Sequence, residues 1–196
     1  MNKYCKMIEN LDEMFDIFNE KLFANELEKP VISIQADYTN KAYGWCSVNK
    51  VWETCDEEAY YEINICAEHM RRSFHEIAGT LLHEMVHLYN LMNDIKDCNA
   101  SQYHNKNYKV AAEAHGLNVE KTSHGYSHAT LNDVSRAIAD TMTYSFDIAR
   151  KPRVKTSSSK NKPTLKYMCP CCGAKVYSTS ELNITCNDCG EDFIQY

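Results

Sequence analysis

Long hydrophobic runs are missing from this 196-residue sequence. No stretch approaches the roughly 18 uncharged apolar residues that a membrane-spanning helix requires. Acidic residues interrupt the opening segment "MNKYCKMIENLDEMFDIFNE", which therefore does not have the apolar core of a secretory signal peptide. We expect an intracellular, cytoplasmic protein that does not associate with a membrane.

The missing secretory signal also decides how the ten cysteines are interpreted. Disulfide frameworks belong to oxidising compartments, whereas clustered cysteines in an intracellular chain more often bind metal. Five cysteines are scattered through the first hundred residues, and five others lie between positions 169 and 189. We expect the scattered five to be reduced and the clustered group to hold a metal ion.

Charge divides the chain into two parts. Residues 150–196 carry eight basic and four acidic side chains, a net charge of +4, which leaves −10 for residues 1–149 out of the total of −6. The stretch 150–166 contains seven positive charges, three serines, two prolines and no acidic residue, a composition typical of a flexible linker. We predict a main domain at 1–149, a basic linker at 150–167 and a small domain at 168–196.

Apolar periodicity predicts the elements of the main domain. Helical spacing runs through residues 5–27 and is bounded by Pro30, and three segments rich in β-branched and aromatic residues follow it. These segments, which predict a three-stranded antiparallel sheet, are "VISIQADY", "AYGWCSVNKVWE" and "AYYEINICAE". Further helices are predicted at 74–92, at 104–115 ending at Gly116, and at 130–150. The fold class is therefore α+β.

The helix predicted at 74–92 contains the motif "GTLLHEMVHLYN", in which His83 and His87 are four residues apart and Glu84 follows the first. That spacing places both imidazoles on one face of a helix, where they can share one zinc ion. The helix is apolar on nearly every side, so these polar groups are expected to be buried. Buried His and Glu side chains are costly unless they are paired or metal-bound, which favours a zinc site that lacks one ligand.

Several residues are candidates for the third ligand. A metzincin site is excluded, because Asn90 and Asn93 stand where that motif requires glycine and histidine. A thermolysin-like site would use a glutamate from a later helix, for which Glu113 is available. The remaining candidates are histidines, namely His104, His115, His124 and His128. The first two are eleven residues, or ~16 Å of helix, apart, so only one of them can reach the metal.

The sequence resembles the SprT-like family of zinc metalloproteases, which includes Spartan. The resemblance rests on "YHNKNYKVAAEAHGL" after the H-E-x-x-H helix and on the upstream segments "YGWC" and "EINICAE", and it covers roughly residues 10–130. It implies a zincin-like domain with a small antiparallel sheet packed on helices. It also implies that His104, followed by Tyr108, is the third zinc ligand.

Zinc held by three imidazoles keeps a fourth position for water, whose pKa the metal lowers. Glu84 is placed to act as general base towards that water and to pass the proton to the leaving amine. A further donor is expected to stabilise the oxyanion. The candidates for it are Tyr103, His124, Tyr126 and His128.

The clustered cysteines form "CPCCG" and "CNDCG", two C-x₂-C pairs separated by thirteen residues. This spacing predicts a zinc ribbon, a structural site with four thiolate ligands: Cys169, Cys172, Cys186 and Cys189. Cys171 is left out, because pairing through it would put a single residue between ligands. A domain of about 29 residues is too small for a core of its own, so the metal is expected to fold it.

Together these features predict a zinc endopeptidase with one catalytic and one structural zinc ion, acting on protein substrates. The basic linker and the aromatic residues Tyr167, Tyr177 and Phe193 permit contact with DNA, although the acidic side chains of the ribbon argue against strong groove binding. In eukaryotic relatives the resemblance implies cleavage of proteins crosslinked to DNA, a DNA-repair role. The alternatives are a nucleic-acid-binding protein with a non-catalytic protease-like domain, and a zinc hydrolase of non-peptide substrates.

Overall fold

A computed structural model describes residues 2–37, 42–142, 144–151 and 163–196. The chain divides into two compact units, Met1–Pro152 and Arg153–Tyr196. The first unit contains the elements α1 (Lys3–Leu22), β1 (Val31–Gln35), β2 (Gly44–Cys46), β3 (Trp52–Glu53), β4 (Ala59–Tyr60), β5 (Glu62–Cys66), α2 (Phe74–Met92), α3 (Lys106–Ala114), β6 (Leu117–Thr122), β7 (Gly125–Leu131) and α4 (Asp133–Ala139). The second unit contains β8 (Leu165–Met168), β9 (Lys175–Ser178) and β10 (Ile194–Gln195).

Helix α1 begins after Asn2, whose side chain accepts a hydrogen bond from the N–H of Tyr4. Its buried face repeats at helical spacing and enters the core through Met7, Leu11, Met14, Phe15 and Phe18. The predicted helix extended to residue 27, but Ala24 and Asn25 adopt left-handed backbone conformations. Such residues cannot continue a right-handed helix, so α1 ends at Leu22.

The main sheet has the strand order β1-β5-β2 and is mixed, so the prediction of an antiparallel sheet is wrong for one of its two pairings. Strand β2 runs antiparallel to β5, but β1 runs parallel to it. Parallel neighbours need a long connection. The chain between β1 and β5 provides one, and the small β3–β4 ladder forms within it.

Helix α2 occupies the centre of the first unit and begins where the sequence predicts. Ser73 accepts a hydrogen bond from the N–H of Glu76, whose carboxylate accepts one from the N–H of Ser73, which completes a capping box. Eleven of its nineteen residues are buried, so the helix is surrounded by its own domain. Within the described residues, no helix combines the length and the apolar character needed to cross a membrane.

The segment after α3 differs from the prediction. Helix α3 ends before Gly116, where φ is +96°, close to the predicted end. Residues 117–131 then form the β6–β7 hairpin, which the sequence analysis did not predict. The last predicted helix, 130–150, is reduced to the seven residues of α4, which Asn132 caps by accepting the N–H of Ser135.

The second unit is a small three-stranded antiparallel sheet with the order β10-β8-β9. Most of the linker predicted at 150–167 lies outside the described residues, and its last three positions belong to β8. Tyr167 is buried here, and its hydroxyl accepts the N–H of Leu182. Tyr167 is therefore part of the packing of this unit. It is not available to stack on a base, although the sequence alone had permitted that role.

Candidate metal centre and active-site groove

Three imidazoles converge beside α2. Their Nε2 atoms form a triangle in which the distances are 3.1 Å from His83 to His104, 3.1 Å from His87 to His104 and 3.2 Å between His83 and His87. His83 and His87 are brought together by the four-residue spacing on the helix. His104 comes from the loop before α3, 21 residues after His83. Nitrogens that bind one zinc ion at ~2.0–2.1 Å in tetrahedral geometry stand about 3.3 Å apart, so the triangle has the size that zinc requires.

Two of these rings are oriented by side chains on their far nitrogens. Nδ1 of His87 donates to Oδ2 of Asp97 at 2.7 Å, and the same carboxylate oxygen accepts from Nδ2 of Asn90 at 3.0 Å. Nδ1 of His83 is hydrogen-bonded to the hydroxyl of Tyr108, which is fully buried on α3, at 2.6 Å. Partners of this kind fix the tautomer and the direction of a metal-binding imidazole.

The arrangement of protons around the triangle fits a cation. Because Asp97 holds the proton of His87 on Nδ1, Nε2 of that ring presents a lone pair to the other two imidazoles. His83, whose Nδ1 is bonded to the Tyr108 hydroxyl, can present Nε2 in the same way, and Nε2 of His104 completes a set of three nitrogens that can surround one cation. The residues therefore suit a divalent metal such as zinc.

The electrostatics keep two of the three rings neutral, the form that binds metal. Burial, helped by the neighbouring imidazoles, holds the pKa of His83 well below its ordinary value and lowers the pKa of His104 to about 4. Burial opposes the charged form of His87 as well, but the hydrogen bond to Asp97 and the charges of Glu84 and Asp97 together outweigh it, so the pKa of His87 is raised. Burial alone would raise the pKa of Asp97. That pKa is nevertheless lowered, because His87 stabilises the carboxylate.

Glu84 lies next to the triangle and is 95% buried. Burial raises the pKa of its carboxyl to about 7, although the backbone N–H of Cys46 on β2 donates a hydrogen bond to it. The strand comes this close because Gly44 has no side chain: a Cβ there would lie 3.2 Å from Oε1 of Glu84 and 2.7 Å from the carbonyl oxygen of Asn64. A carboxyl that titrates near neutrality is suited to take and return a proton.

The other candidates for the third ligand lie elsewhere. Glu113 is exposed on α3 and forms an ion pair with Lys109 at 3.6 Å. His115 stacks on Phe23, and its Nδ1 donates to the carbonyl of Leu22. His124 and His128 lie on the β6–β7 hairpin and face the groove, but they do not join the group of nitrogens.

A groove of about 1390 Å³ runs over the three histidines and Glu84. One wall is β2, which within the described residues pairs with β5 on one side and has no strand on the other. Strand β7 also lines the groove and contributes residues 127–131. Of the four candidate oxyanion donors, His124 and His128 line the groove, whereas Tyr103 and Tyr126 are not among its lining residues.

Sequence reasoning missed two residues of this site. Asp97 is an acidic residue in a polar loop, and only the general expectation that a zinc-binding histidine has a carboxylate partner would have directed attention to it. Gly44 belongs to the quoted segment "YGWC", but its closeness to Glu84 depends on how β2 packs on α2. Neither role is visible in the spacing of the motif.

The second unit brings four cysteines together. The sulfur atoms of Cys169, Cys172, Cys186 and Cys189 all lie within 4.8 Å of one another. The hydrogen bond from the backbone N–H of Cys172, with a smaller one from Cys171, lowers the pKa of the Cys169 thiol to about 7. Gly173 and Gly190 follow the two pairs with positive φ and close the two turns. This cluster can form a zinc ribbon.

The chain matches the model of a protein family. The model of the SprT-like family matches residues 11–130, which run from within α1 almost to the end of β7 and include the three histidines. No curated protein and no solved structure matches the chain.

Proposed function

Because the chain belongs to the SprT-like family, we propose that it is a zinc-dependent endopeptidase with a zincin-like active site. The observation that carries this proposal is the convergence of three Nε2 atoms beside a buried carboxyl at the floor of an open groove. The family supports a metalloprotease-type function. The mechanism and the substrate class are inferred from the site.

His83, His87 and His104 would hold the catalytic zinc, with Asp97 and Tyr108 orienting two of the rings. When bound, the ion supplies Lewis acidity, which makes a water molecule a better nucleophile and a peptide carbonyl a better electrophile. Three protein ligands leave a coordination position open for these groups.

Glu84 is the proposed general base. Its carboxylate takes a proton from the attacking water. Because burial raises its pKa to about 7, the group can hold that proton at neutral pH and then pass it to the leaving amine. The N–H of Cys46 donates a hydrogen bond to this carboxylate and helps to hold it beside the groove. His124 and His128 are the candidates for stabilising the oxyanion, since both line the groove.

The open edge of β2 supports a polypeptide substrate. A strand without a neighbour presents N–H and C=O groups that an extended chain can pair with. Because this edge borders the groove above Glu84, a peptide added to β2 would pass over the catalytic carboxyl. The preferred substrate is therefore an unfolded or extended segment, and a folded protein would need local unfolding first.

The decisive experiment replaces Glu84 with glutamine. Glu84→Gln keeps the shape of the side chain but removes the base, so cleavage of an unfolded protein substrate should fall by about 10²–10⁴-fold. Zinc content, measured by elemental analysis, should stay at the wild-type value, because Glu84 is not one of the three nitrogen ligands. Glu113→Gln, an exposed change on α3, is the matched control and should leave cleavage unaltered.

Proteolysis that survives in Glu84→Gln would refute the assignment of the base. If the zinc-loaded wild-type protein cleaved neither itself nor unfolded proteins, with or without DNA, the endopeptidase proposal would fail. The non-catalytic alternative, a nucleic-acid-binding protein with a protease-like domain, would then be preferred.

We also propose DNA as a partner of the second unit and DNA-bound proteins as substrates. Tyr177 and Tyr196 are more than half exposed there, and the ammonium of Lys175 lies 6.0 Å from the ring of Tyr196. Exposed aromatic rings beside cations can stack on the bases of single strands while the charge meets phosphate. Tyr177→Ala should weaken binding of single-stranded DNA in fluorescence anisotropy, and wild-type affinity should fall with salt. Equal binding by both proteins would contradict this role.

A further inference from the structure

We propose that Gly125, at the tip of the β6–β7 hairpin, is a positioning residue for the third metal ligand, His104. This inference rests on the proposed function only in assigning His104 to the metal. It concerns how the chain holds a ligand that belongs to no helix or strand of its own. The supporting features are two backbone hydrogen bonds, a close approach of Gly125 to His104, and the different way in which the other two ligands are held.

The hairpin tip forms hydrogen bonds with both the N–H and the C=O of His104. The N–H of His104 donates to the carbonyl of His124 at 3.0 Å, and the N–H of Tyr126 donates to the carbonyl of His104 at 3.0 Å. These two residues flank Gly125, so the tip pairs with His104 as an isolated parallel bridge. Both backbone groups of the third ligand are therefore satisfied by the hairpin.

The glycine lies directly against the ligand. A Cβ built on Gly125 would stand 2.0 Å from the carbonyl oxygen of His104 and 2.9 Å from its backbone nitrogen and carbonyl carbon. Contacts this short are with backbone, which has no flexible end to move aside. In addition, φ of Gly125 is +78°, a conformation that residues with a side chain rarely adopt. Any other residue here must push His104 away or break the hairpin tip.

His104 depends on this backbone contact more than the other two ligands do. His83 and His87 are fixed by the helix that carries them and by Tyr108 and Asp97 on their Nδ1 atoms. Among the described residues, no side chain hydrogen-bonds to Nδ1 of His104. The groups that hydrogen-bond its imidazole are backbone groups of His124, on the hairpin, and of Gln102, so the ring direction is set by backbone that the hairpin helps to place.

The residue after His104 connects the same loop to a second metal ligand, His87, through Asp97. The N–H of Asn105, the residue after His104, donates to the carbonyl of Asp97 at 2.9 Å, and the side chain of Asp97 orients His87. A shift of His104 away from the hairpin would thus be passed to the carboxylate that holds His87. Loss of the glycine is expected to disturb two of the three ligands.

The test is Gly125→Ala in the full chain, with metal binding as the readout. Residues that orient metal ligands typically contribute 10–100-fold to metal affinity, so zinc at the histidine site should bind at least 10-fold more weakly in competition with a chelator. Replacing zinc by Co²⁺ separates the two sites in one sample, because thiolate ligands give charge-transfer absorption that imidazoles lack. The cysteine site should be unchanged and serves as an internal standard.

Gly116→Ala is the matched control. Gly116 also has a positive φ, +96°, and a Cβ there would lie 3.0 Å from Cβ of Ser135 and 3.4 Å from the side chain of Leu22. It is crowded and strained like Gly125, but its neighbours are not metal ligands. Gly116→Ala should lower the thermal stability of the apo protein and leave zinc affinity as in the wild type.

Wild-type zinc affinity in a folded Gly125→Ala protein would overturn the inference, and so would an equal loss of zinc in both glycine variants. If Gly125→Ala did not fold, Thr122→Val replaces it: the Thr122 hydroxyl accepts the N–H of His124 and bonds Ser127 at 2.7 Å. Weaker zinc in that variant supports the inference, and unchanged zinc refutes it. A protein that binds zinc but cleaves no peptide would refute the proposed function alone.

Discussion

At the scale of single residues, Asp97 is the side chain whose change should be most informative about zinc binding. It accepts from His87 and from Asn90 with one oxygen and is 85% buried as a side chain. Asp97→Asn keeps the size but removes the charge that favours the correct tautomer of His87. We expect the affinity for zinc to fall about 10–100-fold, as measured by chelator competition.

A neighbouring acid provides the comparison for that variant. Asp94 is exposed in the same loop and has a φ of +55°, which asparagine tolerates well. Asp94→Asn removes the same charge at a short distance along the chain and should leave zinc affinity unchanged. A similar loss in both variants would indicate that overall charge, and not the hydrogen bond to His87, controls binding.

Replacing Gly44 with alanine should reduce the rate of catalysis and leave zinc binding almost unchanged. The added methyl of Gly44→Ala would meet the Asn64 carbonyl at 2.7 Å and the Glu84 carboxylate at 3.2 Å, so β2 must move away from α2. Because a displacement of about 1 Å in a catalytic group can reduce the rate 10²-fold, kcat for peptide cleavage should fall about 100-fold while zinc is retained.

Gly79, on α2 itself, is the control for this substitution. Among the described residues outside the α2 backbone, a Cβ there would meet Leu131 alone, at 3.9–4.0 Å, an ordinary contact. Gly79→Ala should keep full activity and raise stability by about 0.5–1 kcal/mol, since alanine is the better residue inside a helix. Equal activity of the Gly44 and Gly79 variants would show that β2 does not position Glu84.

The residues of the site differ in how well the sequence predicts their roles. His83, His87 and Glu84 follow from one local motif whose geometry the helix guarantees. His104 follows from no spacing rule, because a loop and the hairpin place it, and it was identified through a family resemblance. Asp97, Gly44 and Gly125 act through contacts between distant segments, and no local pattern distinguishes them from ordinary loop residues.

At the scale of elements, the start of α2 should be sensitive to its capping box. Ser73→Ala removes the oxygen that accepts the N–H of Glu76 and should lower the free energy of unfolding by about 1 kcal/mol. Glu76→Gln keeps an acceptor for the N–H of Ser73 and should cost less. Urea denaturation of both variants, with m-values compared to the wild type, measures the difference. A larger loss in Glu76→Gln would contradict the capping role of Ser73.

The same distinction between local and distant contacts explains which elements are predictable. Helix α2 has a capping box and apolar periodicity within its own nineteen residues, and its predicted bounds are confirmed. The parallel pairing of β1 with β5 joins strands about thirty residues apart, and side-chain alternation carries no information on direction. Thr130 and Leu131 fall in the helix predicted at 130–150, but pairing with β6 makes them the end of β7.

At the scale of the whole molecule, the two ligand clusters predict two zinc ions in each chain. His104→Ala should remove one ion and peptide cleavage, whereas Cys186→Ser should remove the other and leave the metal of the histidine site in place. Elemental analysis of the two purified variants and of the double variant tests this. Full zinc content in His104→Ala would show that His104 is not a ligand of this ion.

The backbone contact between His104 and the hairpin tip has a consequence for the newly synthesised chain. During translation, α2 leaves the ribosome with two histidines, but the third has no fixed position until residues 124–126 have also emerged and folded. The cysteine cluster needs only one stretch of 21 residues to close. A nascent chain therefore cannot complete the histidine cluster until the β6–β7 hairpin has also folded against His104.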